Sequence, residues 1–157
     1  PGVGPTVFPE GTGIRVSAGR QLVMQVHYNL GNGPLPDQSW VNLTLQDEVE
    51  REATILDDLV HDGFELDPGQ TSQSSEYTMN EIIGDIDEMT IWGVLPHMHT
   101  MGTTLTVEAW DKDHYTCLVD VAQWDFDWQG LYFYEEPVLV RGSDQIRIRC
   151  GWNTVIV

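Results

Sequence analysis

Val138-Leu139-Val140, Arg141-Gly142-Ser143-Asp144 and Gln145-Ile146-Arg147-Ile148-Arg149-Cys150 read in order as strand, turn and strand. An unbroken β-branched and apolar run precedes a polar, glycine-containing corner, and after it Ile146, Ile148 and Cys150 alternate with Gln145, Arg147 and Arg149, the pattern of strands joined by a tight turn. The same period of two recurs upstream. Leu22, Met24, Val26 and Tyr28 alternate with Gln21, Val23, Gln25 and His27, and Val41, Leu43 and Leu45 alternate with Asn42, Thr44 and Gln46. Ile91-Trp92-Gly93-Val94-Leu95 is a further apolar run, and Leu105, Val107 and Ala109 alternate with Thr104, Thr106 and Glu108. Successive side chains of a strand point to opposite faces, so each run predicts one covered and one polar face. No stretch shows a long helical period; Glu48 to Leu59 is the sole candidate and reads as a short turn or a further strand. Many short strands separated by Gly, Pro, Asn and Asp predict an all-β chain, an antiparallel β sandwich of jelly-roll kind.

Composition narrows the class of partner. The chain has 157 residues, 41% of them hydrophobic, which is enough to bury one sizeable core. Against seven Lys and Arg stand 25 Asp and Glu, a formal charge of −18. That field repels phosphate backbones and anionic headgroups, which argues against nucleic acid and membrane surfaces as partners. No apolar run is long enough to span a bilayer, and Pro1-Gly2-Val3-Gly4-Pro5 is not a signal peptide. Cys117 and Cys150 lack the close spacing of a zinc or redox motif and are either a disulfide or two buried thiols. The acidic, Lys-poor, Trp-rich composition favours the disulfide and an extracytoplasmic, secreted or periplasmic setting. Gly31-Asn32-Gly33-Pro34-Leu35-Pro36-Asp37 is the best boundary between domains.

The residues with most chemistry lie in Leu95-Pro96-His97-Met98-His99-Thr100-Met101-Gly102. On an extended strand His97 and His99 share a side, and two neutral imidazoles a few ångströms apart are half of a transition-metal site. The plainer reading is two half-exposed strand histidines. Met98 points away from the pair; Met101, next to a glycine that ends the strand, is expected in the core. His61 and His114 sit in polar, turn-like surroundings and read as surface residues. Trp124, Phe126 and Trp128 fall at alternating positions, as core aromatics of a sandwich do, although they are also suited to lining a substrate cleft.

Taken together these runs carry a family resemblance. Gln21-Leu22-Val23-Met24-Gln25-Val26-His27-Tyr28-Asn29, the His97-Met98-His99 segment, Trp124-Asp125-Phe126-Asp127-Trp128-Gln129 with Glu136-Pro137, and Cys150-Gly151-Trp152-Asn153 occur in one order. In that order they resemble the copper type II, ascorbate-dependent monooxygenases, the family of peptidylglycine α-hydroxylating monooxygenase and dopamine β-monooxygenase, in their bacterial form. The resemblance implies copper as cofactor, ascorbate as electron donor, and dioxygen with a small-molecule or peptide substrate hydroxylated at a C–H bond. It implies that His97 and His99 ligate the oxygen-binding copper and His27 the electron-transfer copper. It also implies that residues 1–36 are the last strands of a first copper domain, and residues 37–157 a second β-sandwich domain that stops before its last strand. Cys117–Cys150 is the disulfide that the comparison with relatives favours.

The departures limit the expectation. The family's adjacent His-His pair has no counterpart in the sequence, and its methionine ligand belongs to a segment beyond Val157. Asp87-Glu88-Met89 has a similar look but lies upstream of the histidines, so it reads as coincidence. The chain alone is therefore expected to be inactive and to need a first domain or another chain. Two other classes stay open: a copper-binding module without turnover, and an extracellular structural or assembly module that reuses the sandwich.

Overall fold

The computed structural model describes residues 5–26, 28, 30–31, 33–56 and 65–155. These divide into two compact units, residues 8–54 and residues 55–157 together with 1–7. The Gly31–Asp37 run lies inside the first unit.

In the first unit, strand β1 (Thr12–Ile14) pairs in parallel with β2 (Arg51–Ala53). Arg15 and Glu52 form an ion pair beside this ladder, and the Tyr28 hydroxyl donates to Asp37 at 2.8 Å. The alternating runs around Leu22–Tyr28 and Val41–Leu45 are expected as strands, yet their described residues are not strand, and Leu22, Met24, Trp40, Val41, Leu43 and Leu45 are exposed. Alternation stabilises a strand only when a second layer covers its apolar face, and a two-stranded ladder of three residues offers none.

The second unit is the sandwich. Strand β3 (Ser72–Thr78) leads into a short helix α1 (Met79–Ile83), followed by β4 (Glu88–Val94), β5 (Gly102–Trp110), β6 (Tyr115–Val121), β7 (Tyr132–Arg141) and β8 (Gln145–Trp152). One antiparallel sheet has the order β3-β8-β5-β6 and the other pairs β4 with β7. Ile146 and Ile148 of β8, Val107 and Ala109 of β5 and Leu118 of β6 pack against Met89 and Ile91 of β4 and Val138 and Val140 of β7. The all-β antiparallel sandwich expected from the period of two is thus present, with no closed barrel among the described residues.

Helix α1 closes one end of this core. Thr78 caps it, its hydroxyl accepting from Glu81 N while Glu81 reaches back to Thr78 N, and Met79 is fully buried. The reciprocal pair satisfies amide donors that a five-residue helix would otherwise leave open.

The run that opened the sequence reading behaves differently from a hairpin. Val138–Arg141 and Gln145–Cys150 are strands, but β7 and β8 lie in different sheets, so Gly142–Asp144 is an arch across the core. Its backbone is bonded outward instead of across a ladder: Asn80 N donates to Gly142 O (3.0 Å), Gly142 N to Asp87 O (3.1 Å) and Met79 N to Asp144 O (3.0 Å). A Cβ at position 142 would lie 2.1 Å from Ile86 O and 2.2 Å from Asn80 Oδ1. Glycine is needed there for close backbone approach.

The expected Cys117–Cys150 disulfide is not formed; both cysteines are free. Cys117 on β6 stands opposite Glu108, and Cys150 on β8 stands opposite Leu105, with β5 between the two strands. Two strand spacings of about 4.8 Å, plus the three-residue offset along β5, separate their Cα atoms by more than the about 7 Å that a disulfide spans. Cys150 also faces the sandwich interior with Leu105, whereas Glu108 belongs to the outer face. Burial pushes the Cys150 thiol above its usual range, so it stays protonated.

On that outer face Glu108 is only 5% exposed. Arg149 (2.7 Å) and Arg147 (3.7 Å) pair with it, the Tyr115 hydroxyl donates to it, and Arg147 also reaches Glu76 (2.6 Å) and stacks on Trp110. Charges set in register across β3, β8 and β5 satisfy the buried carboxylate, which would be costly unpaired.

Candidate metal centre

Two loops meet at one end of the sandwich because of strand register. Val94, the last residue of β4, pairs with Tyr132, the first of β7. The loop leaving β4 therefore emerges beside the loop entering β7. The first, residues 95–101, carries the histidine pair; the second, residues 122–131, carries Trp124 to Gln129. Trp124 N donates to Thr103 O at 2.8 Å, tying the second loop to the start of β5.

Residues 95–99 are not strand, so the extended ladder expected for the histidine pair is replaced by an irregular segment ending in a turn, Gly102 N donating to His99 O at 2.9 Å. The pairing of the rings survives for another reason. Met98 is 6% exposed and anchors the segment inward, which leaves His97 and His99 on the exposed side. Gly102 makes room for the anchor: a Cβ there would lie 2.9 Å from Met98 Cβ and 3.0 Å from Trp124 Cδ1.

The two imidazole centroids are 5.3 Å apart, with planes at 81°. A metal–nitrogen bond of about 2 Å puts each ring centroid about 3 Å from a shared ion, so two ligating rings have centroids about 4.5–5.7 Å apart at ordinary ligand angles. The observed pair fits that window.

The orientation of His97 is set by Gln129. The Gln129 amide nitrogen donates to Phe126 O (2.6 Å), so its carbonyl oxygen faces His97 Nδ1 at 2.6 Å. Nδ1–H of His97 is thus the donor, and its Nε2 keeps a lone pair for a metal ion. A carbonyl acceptor on the remote ring nitrogen is the arrangement that fixes tautomer and ring plane in histidine metal sites. Sequence reasoning singles out the Trp124–Gln129 run but not Gln129 as a site residue, because only the β4–β7 register brings it to His97.

Other expected residues fall elsewhere. Met101, expected in the core, is 40% exposed on the turn after His99; its backbone carbonyl accepts from Asn153 N at 2.8 Å. Met98 is held in the interior and is not placed to ligate beside the histidines. Phe126 and Trp128 are exposed, not core aromatics; only Trp124 of the three is partly covered. His114 is at the surface as expected. His27, the expected ligand of the electron-transfer copper, and His61 lie outside the described residues. Among the described residues no group of three His, Cys, Asp or Glu side chains is placed to hold a metal ion. The donor set here is therefore two imidazoles, which fits half of a copper site.

No family model matches the chain, and no curated protein is significantly similar to it.

Proposed function

We propose that this chain contributes the His97–His99 half of a copper centre to a copper- and ascorbate-dependent monooxygenase, with the sandwich wound as a jelly roll and the protein extracytoplasmic. The observation that carries this reading is the oriented pair: two exposed imidazoles at a separation suited to one ion, with Gln129 holding His97 in the tautomer that leaves Nε2 available. Imidazole accepts both copper oxidation states, and a thioether from outside the pair would favour Cu(I). Copper bound there would supply dioxygen activation for hydroxylation of a C–H bond, with ascorbate as the source of electrons. The residues of this chain bind and orient: Met98 anchors, His97 and His99 present nitrogen donors, and Gln129 fixes the proton on Nδ1.

A second reading, copper binding without turnover, is favoured by the donor count, since the described residues bring only two nitrogen donors together. Both readings require metal binding at the same pair. Titration of the chain with Cu(II), followed by calorimetry and electron paramagnetic resonance, is expected to give one site with nitrogen hyperfine structure that is lost in His97→Ala and His99→Ala. No binding, or equal binding by the variants, overturns the proposal. Hydroxylated product formed per dioxygen consumed, measured with the copper-loaded chain together with the domain or chain that supplies the missing ligands, then separates the catalytic reading from the binding-only reading.

A further inference from the structure

We infer that the cleft between the β5–β6 hairpin and Arg147 of β8 binds a neutral saccharide. Residues 110–115 and Arg147 line it, and its volume of about 390 Å³ is in the range of small-ligand pockets. Strand β5 runs from Gly102, beside the histidine loop, to Trp110 at the cleft, about 26 Å at the usual strand rise. The cleft and the histidine pair are therefore separate places on the sandwich.

Strand register builds the aromatic part. Trp110 and Tyr115 pair directly across β5 and β6, so both side chains stand on the outer face of the sheet. The Arg147 guanidinium lies 4.5 Å from the Trp110 ring centroid, and Glu76 holds Arg147 Nε at 2.6 Å. Tyr115 is 64% exposed, with its hydroxyl donating to the buried Glu108. Each ring is thus held by a polar anchor while part of its surface meets solvent. The electron-rich face of such a ring attracts the C–H face of a pyranose, and a ring already held loses little freedom on binding.

The hairpin tip supplies hydrogen bonds of both kinds. Asp111 Oδ1 accepts from Asp113 N and His114 N, each at 2.7 Å, and Arg141 holds its other oxygen at 3.3 Å. On this fixed tip the Lys112 and Asp113 side chains are 88% and 74% exposed, with the ammonium 3.9 Å from the carboxylate. His114 Nδ1 donates to Asp113 O at 3.1 Å, which makes its Nε2 an acceptor. The cleft therefore offers a donor from Lys112 and acceptors from Asp113 and His114. A sugar hydroxyl donates and accepts at once, and neighbouring hydroxyls repeat the pattern, so this mixed set matches a polyol.

Charge selects a neutral ligand. In and around the cleft each cation is matched by one acid: Lys112 by Asp113, Arg141 by Asp111, Arg147 by Glu76 and Arg149 by Glu108. Four of the chain's seven Lys and Arg gather here, which leaves a locally balanced patch on a chain of formal charge −18. A charged ligand would compete with pairs already made, whereas an uncharged one bonds to them without that cost.

The test is a titration of isotope-labelled protein with the neutral disaccharides cellobiose, maltose, lactose and diacetylchitobiose, and with anionic digalacturonate and cationic diglucosamine. At least one neutral disaccharide is expected to shift the Trp110 indole N–H, identified with Trp110→Phe, and to bind at least fivefold more tightly than either charged probe. Tyr115→Ala is expected to weaken it at least fivefold, with Tyr115→Phe retaining most of the affinity because the ring remains. Lys112→Ala and Asp113→Ala, at exposed hairpin positions, are expected to weaken it at least threefold each without moving the urea midpoint. The matching hexasaccharide distinguishes two sources of such a ligand: equal or tighter binding supports a polymer chain, weaker binding a free small sugar, and both uphold the site. No binding by any neutral disaccharide, equal or tighter binding of a charged probe, or affinity unchanged in the Tyr115→Ala and hairpin variants overturns the inference.

Discussion

Replacing Gln129 by Leu should lower copper affinity by about 10- to 100-fold without unfolding the sandwich. The substitution keeps the approximate volume of the side chain and deletes two 2.6 Å hydrogen bonds, one from His97 Nδ1 and one to Phe126 O. At a net ~0.5–1.5 kcal/mol each, their loss amounts to about 1–3 kcal/mol. The 10- to 100-fold loss typical of removing an outer partner of a metal-bound histidine is about 1.4–2.8 kcal/mol, the same range. The first range is a loss of folded-state stability and the second a loss of metal affinity; affinity falls because copper binding must then supply the ordering of His97 that Gln129 supplied. Gln129→Glu sharpens the test. It keeps an oxygen acceptor for Nδ1–H and adds a charge that favours imidazole as a ligand, but it gives up the bond to Phe126 O. Its copper affinity should therefore exceed that of Gln129→Leu. The assay is calorimetric competition against a chelator of known copper affinity, with urea midpoints showing that each variant is folded. A Gln129→Leu protein that is folded and binds copper as tightly as the parent would refute the reasoning.

Three further outcomes follow from the fold. Gly142→Ala forces a Cβ onto Ile86 O and Asn80 Oδ1, and should cost about 1–3 kcal/mol in urea denaturation; an unchanged midpoint would contradict the close approach. Denatured, non-reduced protein should release two free thiols to a thiol reagent, from Cys117 and Cys150; a mass lower by two hydrogens, with no reactive thiol, would contradict the strand order β8-β5-β6. Tyr134 is pushed up to about 12, from 10.0, chiefly by burial. Because its folded value is raised, its contribution to stability is complete below pH 10 and is lost as pH rises from 10 to about 12, where the unfolded chain ionises first. Absorbance titration near 295 nm should show a phenol ionising near pH 12 whose step disappears in Tyr134→Phe.

The strands of the sandwich were legible because their pattern is local: Ile146 and Ile148 alternate with Gln145, Arg147 and Arg149, Leu105 and Val107 alternate with Thr104, Thr106 and Glu108, and Val138-Leu139-Val140 is a short β-branched and apolar run; Ile146, Ile148, Leu105, Val107, Val138 and Val140 face inward. The same pattern at Leu22–Tyr28 and Val41–Leu45 misled, since periodicity records which face needs cover and not whether a layer supplies it. Phe126 and Trp128 misled in the same direction: their alternate spacing looks like core, but they sit on a turn stapled by Asp125, where spacing has no face to refer to.

By itself the sequence determined the all-β class, the acidic surface and the His97–Met98–His99 spacing, because composition and period two act within a few residues of one another. Tertiary structure decided the rest. Strand order put β5 between Cys117 and Cys150 and kept them apart, turned Arg141–Asp144 into an arch between sheets, and set the β4 and β7 loops side by side. Gln129 reaches His97 across 32 positions of chain only because Val94 and Tyr132 pair in register, a long-range choice made by core packing and not by local pattern.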